Sequence, residues 1–163
     1  MIVIRSSIAP QPGIPVMTAL TTQQARAIVD AVLAGPRTDP ARRIACAVVD
    51  AGGHLLAMAR EEEAGPLFGE ICQMKAFTCI AVARPTKTLR ADAQGHERWL
   101  DGIRHVALAR MGGALIADEG GDLIHDGEGR VLGAVGVSGE AGYHDEHLAV
   151  MAIGAIGLVA DAG

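Results

Sequence analysis

Aromatic side chains are nearly absent from this 163-residue chain. Half of its residues are hydrophobic, yet its only aromatic residues besides histidine are Phe68, Phe77, Trp99 and Tyr143. The core must therefore be built from Ala, Val, Ile, Leu and Met, with the 21 glycines allowing close backbone approach. Clusters of Lys and Arg interleaved with aromatic residues are also lacking, and the formal charge is −5. The electrostatic signature of a nucleic-acid-binding protein is therefore absent.

Long apolar runs and paired cysteines are missing as well. Nowhere do about 18 uncharged apolar residues follow one another, and no continuous apolar segment precedes the first prolines. We therefore expect a soluble, cytoplasmic protein that does not bind a membrane. The cysteines are odd in number and lack C-x-x-C spacing, which disfavours a disulfide framework and a structural zinc site. We expect buried free thiols at Cys46, Cys72 and Cys79.

The pattern of apolar residues predicts an α+β domain whose antiparallel sheet is covered by helices. Residues 1–19 carry three prolines without periodicity and predict an extended arm, so that one domain spans residues 20–163. A first helix is predicted from the Thr21-Thr22 pair to a stop at Gly35-Pro36. We predict further helices at 66–83, 86–93, 99–110 and 143–159, a hairpin within 42–60 that turns at 50–53, and strands at 114–117, 122–125 and 130–137.

Three segments together resemble the GlcG/HbpS family, also called the haem-degrading domain family, which includes the C-terminal domain of PduO-type proteins. These segments are AVVDAGGHLLAMAR, KAFTCIAVARPT and GRVLGAVGVSGEAGYHDEHLAVMAIGAIGL. The resemblance covers roughly residues 20–158 and implies a profilin-like or roadblock-like fold with a five-stranded antiparallel sheet covered by helices. It also implies a homo-oligomer, and a small-molecule ligand, because some members bind haem or related tetrapyrroles.

The chain departs from the family pattern in two segments and one helix. Relatives commonly carry Arg-Met-Asp-Gly after the hairpin, where this chain has REEEAG at residues 60–65. Their G-G-x-P becomes GGDL at residues 120–123, and we expect both segments to be loops that shape a pocket. The first helix contains no histidine, so the axial ligand that some haem-binding relatives supply from that helix has no counterpart here.

The sequence GEAGYHDEHLAVM places two histidines and two carboxylates in four consecutive positions at the start of the last helix. His144 and His147 are three residues apart, so they diverge by only about 60° around the helix axis and can address one spot. They could begin a metal site with a third ligand from Glu70, His125 or Glu146, or ligate haem together with Met151. Alternatively, the acidic pair only complements the helix dipole, and the histidines are surface residues.

Anion binding is a further hypothesis for the same region. The turn at Ser138-Gly139 leads from a strand into a helix, whose free N–H groups favour a carboxylate, with Tyr143 as a neighbouring ligand contact. A plain tight turn is the alternative. Lys75 lies within the apolar face of the central helix, where a lysine must reach solvent or meet an anion. It is either the partner of a buried carboxylate or helix C-terminus, or an anion-binding residue at a pocket wall.

Three functions are compatible with these residues. The first is a non-catalytic protein that binds an organic acid or a tetrapyrrole, with haem or a divalent metal as the candidate cofactors. The second is an enzyme that catalyses isomerisation, elimination or hydration of a small organic acid, with His144, His147 and Glu146 as its base and acid. The third is an oligomerising structural module, in which the small residues of AVMAIGAIGLVA pack across an interface.

Overall fold

The computed structural model describes residues 19–161, so the predicted arm lies outside the described residues apart from residue 19. The chain forms five helices and five strands within that range. In order they are α1 Thr22–Ala34, β1 Ala45–Asp50, β2 Leu55–Arg60, α2 Pro66–Val82, α3 Thr86–Ala93, α4 Glu97–Met111, β3 Gly121–His125, β4 Val131–Ser138, α5 Gly142–Ala155 and β5 Val159–Ala160. None of these helices is long and apolar enough to cross a membrane.

The five strands form one antiparallel sheet in the order β2-β1-β4-β3-β5. This confirms the predicted α+β class and the five-stranded antiparallel sheet. The sheet is covered on both faces. Helices α1 and α5 bury one face against an aliphatic core, and α2 covers the other face, where α3 and α4 pack outside it.

Helix α2 packs its backbone directly against the centre of the sheet at Gly136 of β4. A Cβ atom at this position would overlap the carbonyl oxygen of Cys72 and lie 2.8 Å from the backbone nitrogen of Ala76, both in α2. The glycine therefore lets the backbones of helix and strand meet directly. The three cysteines are buried and unpaired, as predicted. Burial raises the pKa of Cys72 to about 12, so this thiol stays protonated and unreactive at neutral pH.

Local signals explain most element boundaries. Thr21 accepts the N–H of Gln24, whose side chain accepts the N–H of Thr21 in return, which forms a capping box that starts α1. The hairpin turn contains Gly53 at φ 82°. Helix α2 ends at Ala83, which adopts the left-handed conformation just before Arg84-Pro85.

Three sequence predictions were wrong. Residues 114–117 are not a strand, because Leu115 is buried beside Phe77 and the N–H of Ile116 donates to the hydroxyl of Thr78 in α2. The fifth strand is instead β5, and the last helix stops at Ala155 rather than at residue 159. Gly157, with φ 77°, ends that helix by the hydrogen-bond pattern of a Schellman motif. The GGDL segment, expected as a loop, mostly belongs to β3.

Candidate functional site

The turn between β4 and α5 is packed inside the protein. Ser138 is buried at the end of β4, where it pairs with Ala45 of β1. Gly139 has φ 135°, and a Cβ atom there would overlap the carbonyl oxygen of Arg43. Close packing on the preceding loop therefore explains this glycine. The two residues predicted to bind an anion are therefore both buried.

Lys75 is the partner of a buried carboxylate, which is one of the two interpretations that its position allowed. Its Nζ donates to the carbonyl oxygen of Val137 at 2.9 Å and to Oδ2 of Asp145 at 3.2 Å. Oδ1 of Asp145 accepts the N–H of Glu140 at 3.0 Å. Burial raises the pKa of the Asp145 carboxyl, an effect that the charge of Lys75 opposes. This ion pair ties α2, β4 and α5 together and leaves little of Lys75 for a ligand.

The loop after α1 lies over the start of α5 and holds one of the predicted histidines. The carboxylate of Glu140 accepts both the N–H and the hydroxyl of Thr38. Nε2 of His144 lies 2.9 Å from the carbonyl oxygen of Pro36. Because a carbonyl oxygen only accepts, this contact requires the Nε2–H tautomer or the imidazolium. His144 is thus anchored through one of its two ring nitrogens.

His147 is exposed beside His144, with 5.9 Å between the ring centroids. The structure therefore brings the two rings together as the spacing predicted. A metal site would need more: among residues 19–161, no group of three or more His, Cys, Asp and Glu side chains is arranged to hold a metal ion. Of the predicted third ligands, Glu70 belongs to α2 on the other face of the sheet, and His125 ends β3. Within residues 19–161, the two histidines are therefore not joined by a third metal-ligating side chain.

Glu146 does not join the two histidines. Adjacent residues of a helix are separated by about 100° around its axis, so Glu146 faces away from the side that carries His147. Its Oε1 accepts a hydrogen bond from Nζ of Lys87 in α3 at 2.6 Å. The three residues predicted as base and acid of a proton-transfer enzyme thus occupy two different sides of α5.

The outward side of α5 carries a row of exposed residues that includes large apolar side chains. Tyr143, His147, Val150 and Met151 follow one another at helical spacing, and all four are exposed. Gly154 continues the row, with no atom within 4 Å of the place a Cβ would take. The opposite side of the helix is buried in the core. Helix α5 is therefore apolar on both sides, which is characteristic of a helix that contacts a partner or a ligand.

Asp122 is a buried acid for which the sequence pattern predicted no role. It lies in β3 with 1% of its surface exposed, and among the described residues its Oδ1 has no hydrogen-bond partner. Burial raises its pKa to about 7, and the negative charges of Glu146 and Asp161 act in the same direction, whereas Lys87 opposes them. The sequence did contain a signal for this residue, namely an acid directly before the apolar pair Leu123-Ile124 of a predicted strand. Charged residues are rarely buried in strands without a partner, so an acid at this position indicates a special role.

We expect Asp122 to make stability depend on pH. Its folded pKa lies above its ordinary value, so this group stabilises the fold at low pH, and that contribution is lost as pH rises from about 4 to about 7. The free energy of unfolding should fall by up to about 1.4 kcal/mol per pH unit in this window. Asp122→Asn should reduce this slope in urea titrations, with Asp145 supplying part of what remains, whereas Asp30→Asn, at an exposed position of α1, should keep it. An unchanged slope in Asp122→Asn would contradict the assignment.

A groove of about 490 Å³ runs between α3 and α4. Its lining combines apolar residues, among them Leu100 and Ala117, with the carboxylates Glu97 and Glu119. Lys87 and Arg90 of α3 contribute positive charge. Arg90 pairs with Asp118 at 3.1 Å and with Glu119 at 3.3 Å. This concavity lies beside the Lys87–Glu146 pair, and the predicted histidines do not line it.

Comparison with known proteins identifies the family to which this fold and this α5 sequence belong. Residues 20–154 match the family described as haem degrading protein HbpS-like. The chain belongs to the HbpS-like family. This confirms the resemblance drawn from the three sequence segments. Protein GlcG from Escherichia coli strain K12 is 35% identical over 96 residues, which are 58% of this HbpS-like chain. The match spans 63% of the length of that relative.

Solved structures agree with the family. Protein ORFY from Klebsiella pneumoniae superposes on this HbpS-like chain with a TM-score of 0.69 and 25% identity, covering 90% of this chain and 96% of that protein. A structure described as a PduOC–heme complex has a TM-score of 0.63 and 24% identity, covering 83% of this chain and 91% of that one. At this identity, the second likeness concerns the fold alone.

Proposed function

We propose that this HbpS-like protein binds a tetrapyrrole such as haem on the outward side of α5, where His147 would hold the iron. The exposed row of Tyr143, His147, Val150 and Met151 carries the proposal. A tetrapyrrole needs a flat apolar surface for its ring and an imidazole or thioether for its iron. The family membership supports the same ligand class, and a relative of the same fold is described in complex with heme.

The two histidines have different roles in this proposal. The ring of His147 is exposed and forms no hydrogen bond with any of residues 19–161, so its nitrogens are available to a metal centre. His144 already uses Nε2 at the carbonyl oxygen of Pro36, which leaves only its Nδ1 for a metal. Met151 lies one turn after His147, where its soft, flexible side chain would contact the ligand. The first helix contains no histidine, and α5 supplies the imidazole instead.

Titration with haemin measures this function directly. We expect wild-type protein to give a saturable shift of the Soret band, and His147→Ala to lose at least about tenfold in affinity, or about 1.4 kcal/mol, because the imidazole that would hold the iron is removed. His144→Ala should lose less. His105→Ala, which removes an exposed histidine from α4, is the matched control and should bind as the wild type does. No saturable shift in the wild type, or an unchanged affinity in His147→Ala, would refute the proposal.

Homo-oligomer formation stays a prediction of the family resemblance. The exposed apolar row of α5 is compatible with it, because two copies that meet there would cover Val150 and Met151. Haem bound on this side would then be shared between copies. Light scattering with and without haemin measures the assembly and its dependence on the ligand.

A further inference from the structure

The imidazoles of His144 and His147 lie close enough to bind one metal ion together. Their ring centroids are 5.9 Å apart, with an angle of 31° between the ring planes. Two imidazoles on one tetrahedral zinc ion, with Zn–N bonds of about 2.1 Å, have their centroids about 5 Å apart. His147 is exposed and forms no hydrogen bond with any of residues 19–161, so a small rotation of its side chain closes the difference.

The hydrogen bond of His144 has the form that is found at metal sites. A metal-ligating histidine almost always donates its second ring N–H to a carboxylate, a backbone carbonyl or water, which fixes the tautomer and the ring orientation. Nε2 of His144 lies 2.9 Å from the carbonyl oxygen of Pro36 and donates to it. In the neutral ring, Nδ1 then carries the free lone pair. One imidazole of the pair is therefore already oriented for a metal.

The carboxylates beside the two histidines have other partners. Oδ2 of Asp145 accepts a hydrogen bond from Lys75, and Oε1 of Glu146 accepts one from Lys87. The ligands at this point of α5 are therefore imidazoles, which suit zinc, copper and nickel rather than magnesium or calcium. Two imidazoles are half of a tetrahedral zinc sphere, and no third His, Cys, Asp or Glu joins them in the part of the chain that the structure describes.

A second copy of the chain can supply the other half of the sphere. His147 belongs to the exposed row of Tyr143, Val150 and Met151, and Gly154 continues this row with open space around it. A two-fold axis beside α5 would set the row against the same row of the partner, where the glycine lets the helices approach closely. A two-fold interface uses the same surface of both copies, so this axis also brings two pairs of histidines together.

We propose that two copies of this chain bind one zinc ion between their α5 helices, through Nδ1 of His144 and one ring nitrogen of His147 from each copy. The apolar rows meet beside the ion and shield it from solvent. The zinc site does not rest on haem binding, but it uses His147, which the proposed haem site also uses. Where both ligands bind, zinc and haem therefore exclude each other, and zinc controls how much of the protein is free to take up haem.

Zinc calorimetry on the untagged full chain, together with light scattering with and without EDTA, tests the site. We expect one zinc ion per two chains and a molar mass that doubles with zinc and returns with EDTA. His147→Ala should bind zinc at least about tenfold more weakly, since even residues that only orient metal ligands contribute about 10- to 100-fold in affinity. No saturable zinc binding, one ion per chain, or unchanged affinity in His147→Ala would overturn the proposal.

Two matched variants check the role of His144. In His144→Gln, the side-chain amide can still donate to the carbonyl oxygen of Pro36, but the nitrogen ligand is lost. This variant should therefore keep the stability of the wild type and bind zinc at least about tenfold more weakly. His105→Ala removes an exposed histidine of α4 and should bind zinc as the wild type does. Zinc binding of wild-type strength in His144→Gln would remove His144 from the site.

The place of the interface is tested by Val150→Arg, which puts a charge into the apolar row without removing a ligand. This variant should lose the shared ion, and a retained ratio of one zinc to two chains would show that the copies do not meet along α5. If wild-type copies already associate without zinc, the molar mass stays constant and the stoichiometry decides, because four imidazoles on one ion require two chains.

Haemin titration at saturating zinc separates this proposal from the haem proposal. Zinc binding without a Soret shift in zinc-free protein would refute haem binding alone. A Soret shift in protein that binds no zinc would refute the zinc site alone. If both ligands bind, we expect saturating zinc to suppress the Soret shift, and an unchanged haemin affinity would contradict the shared use of His147.

Discussion

Lys75→Met is expected to lower the free energy of unfolding by about 3 to 5 kcal/mol, because it leaves the carboxylate of Asp145 buried without its cation. Lys75 and Asp145 are each 3% exposed at the side chain, and the lysine also holds the carbonyl oxygen of Val137. The loss therefore affects the contact between α2 on one face of the sheet and the start of α5 on the other. Urea denaturation at pH 8, followed by circular dichroism, measures it.

A double variant distinguishes the effect of the unpaired buried charge on stability from the effect of changed side-chain packing. In the double variant Lys75→Met and Asp145→Asn, no buried charge remains, and the side-chain oxygen of Asn can still accept the N–H of Glu140. This variant should be more stable than Lys75→Met alone. Arg130→Met removes the cation of a surface ion pair with Asp126 and should cost less than about 1 kcal/mol. A loss in Lys75→Met no larger than that in Arg130→Met would contradict a structural role for the buried pair.

Gly136→Ala is expected to cost about 3 kcal/mol, at the upper end of what overpacking a core costs, because the added methyl group meets helix backbone. The carbonyl oxygen of Cys72 cannot rotate away as a side chain can, so α2 must move from the sheet. Thermal and urea unfolding measure the loss.

Gly102→Ala is the control for that experiment. This glycine lies in the interior of α4, and a Cβ there would meet no atom within 4 Å. Alanine should therefore stabilise the protein by about 0.5 to 1 kcal/mol, since glycine is unfavourable inside a helix. A change of stability in the same direction in both variants would contradict the conclusion that the close approach of α2 and β4 requires glycine at position 136.

The elements that sequence patterns predicted correctly are those defined by local rules. Thr21 caps α1, the turn after Asp50 closes a hairpin, and Pro85 follows the end of α2. The prediction of a strand at residues 114–117 was wrong because a short apolar run has the same sequence pattern whether it pairs as a strand or packs on a helix. Its hydrogen bond goes to Thr78, some 38 residues earlier in the chain, and local patterns carry no information about such a partner.

The candidate site was predicted less well, for the same reason. Helical spacing correctly brought His144 and His147 side by side, but it could not reveal that Glu146 turns to Lys87. The position of Lys75 in an apolar pattern required a partner, and only the fold identified Asp145 from among many acids. Asp122 was missed because its significance depends on burial and on the absence of a hydrogen bond to Oδ1 among the described residues.

The central position of β4 also affects how the chain must fold during synthesis. Its two neighbours in the sheet are β1 and β3, and residue 138 faces residue 45, with α2, α3 and α4 between them in the chain. Closing such a long loop costs conformational entropy, and only the contacts formed once β1 and β4 pair offset that cost. A nascent chain that has not yet reached Val131 therefore leaves the hairpin and α2 exposed on the ribosome without the strand that joins them to β3. The domain can acquire its native core only after nearly all of it has been translated.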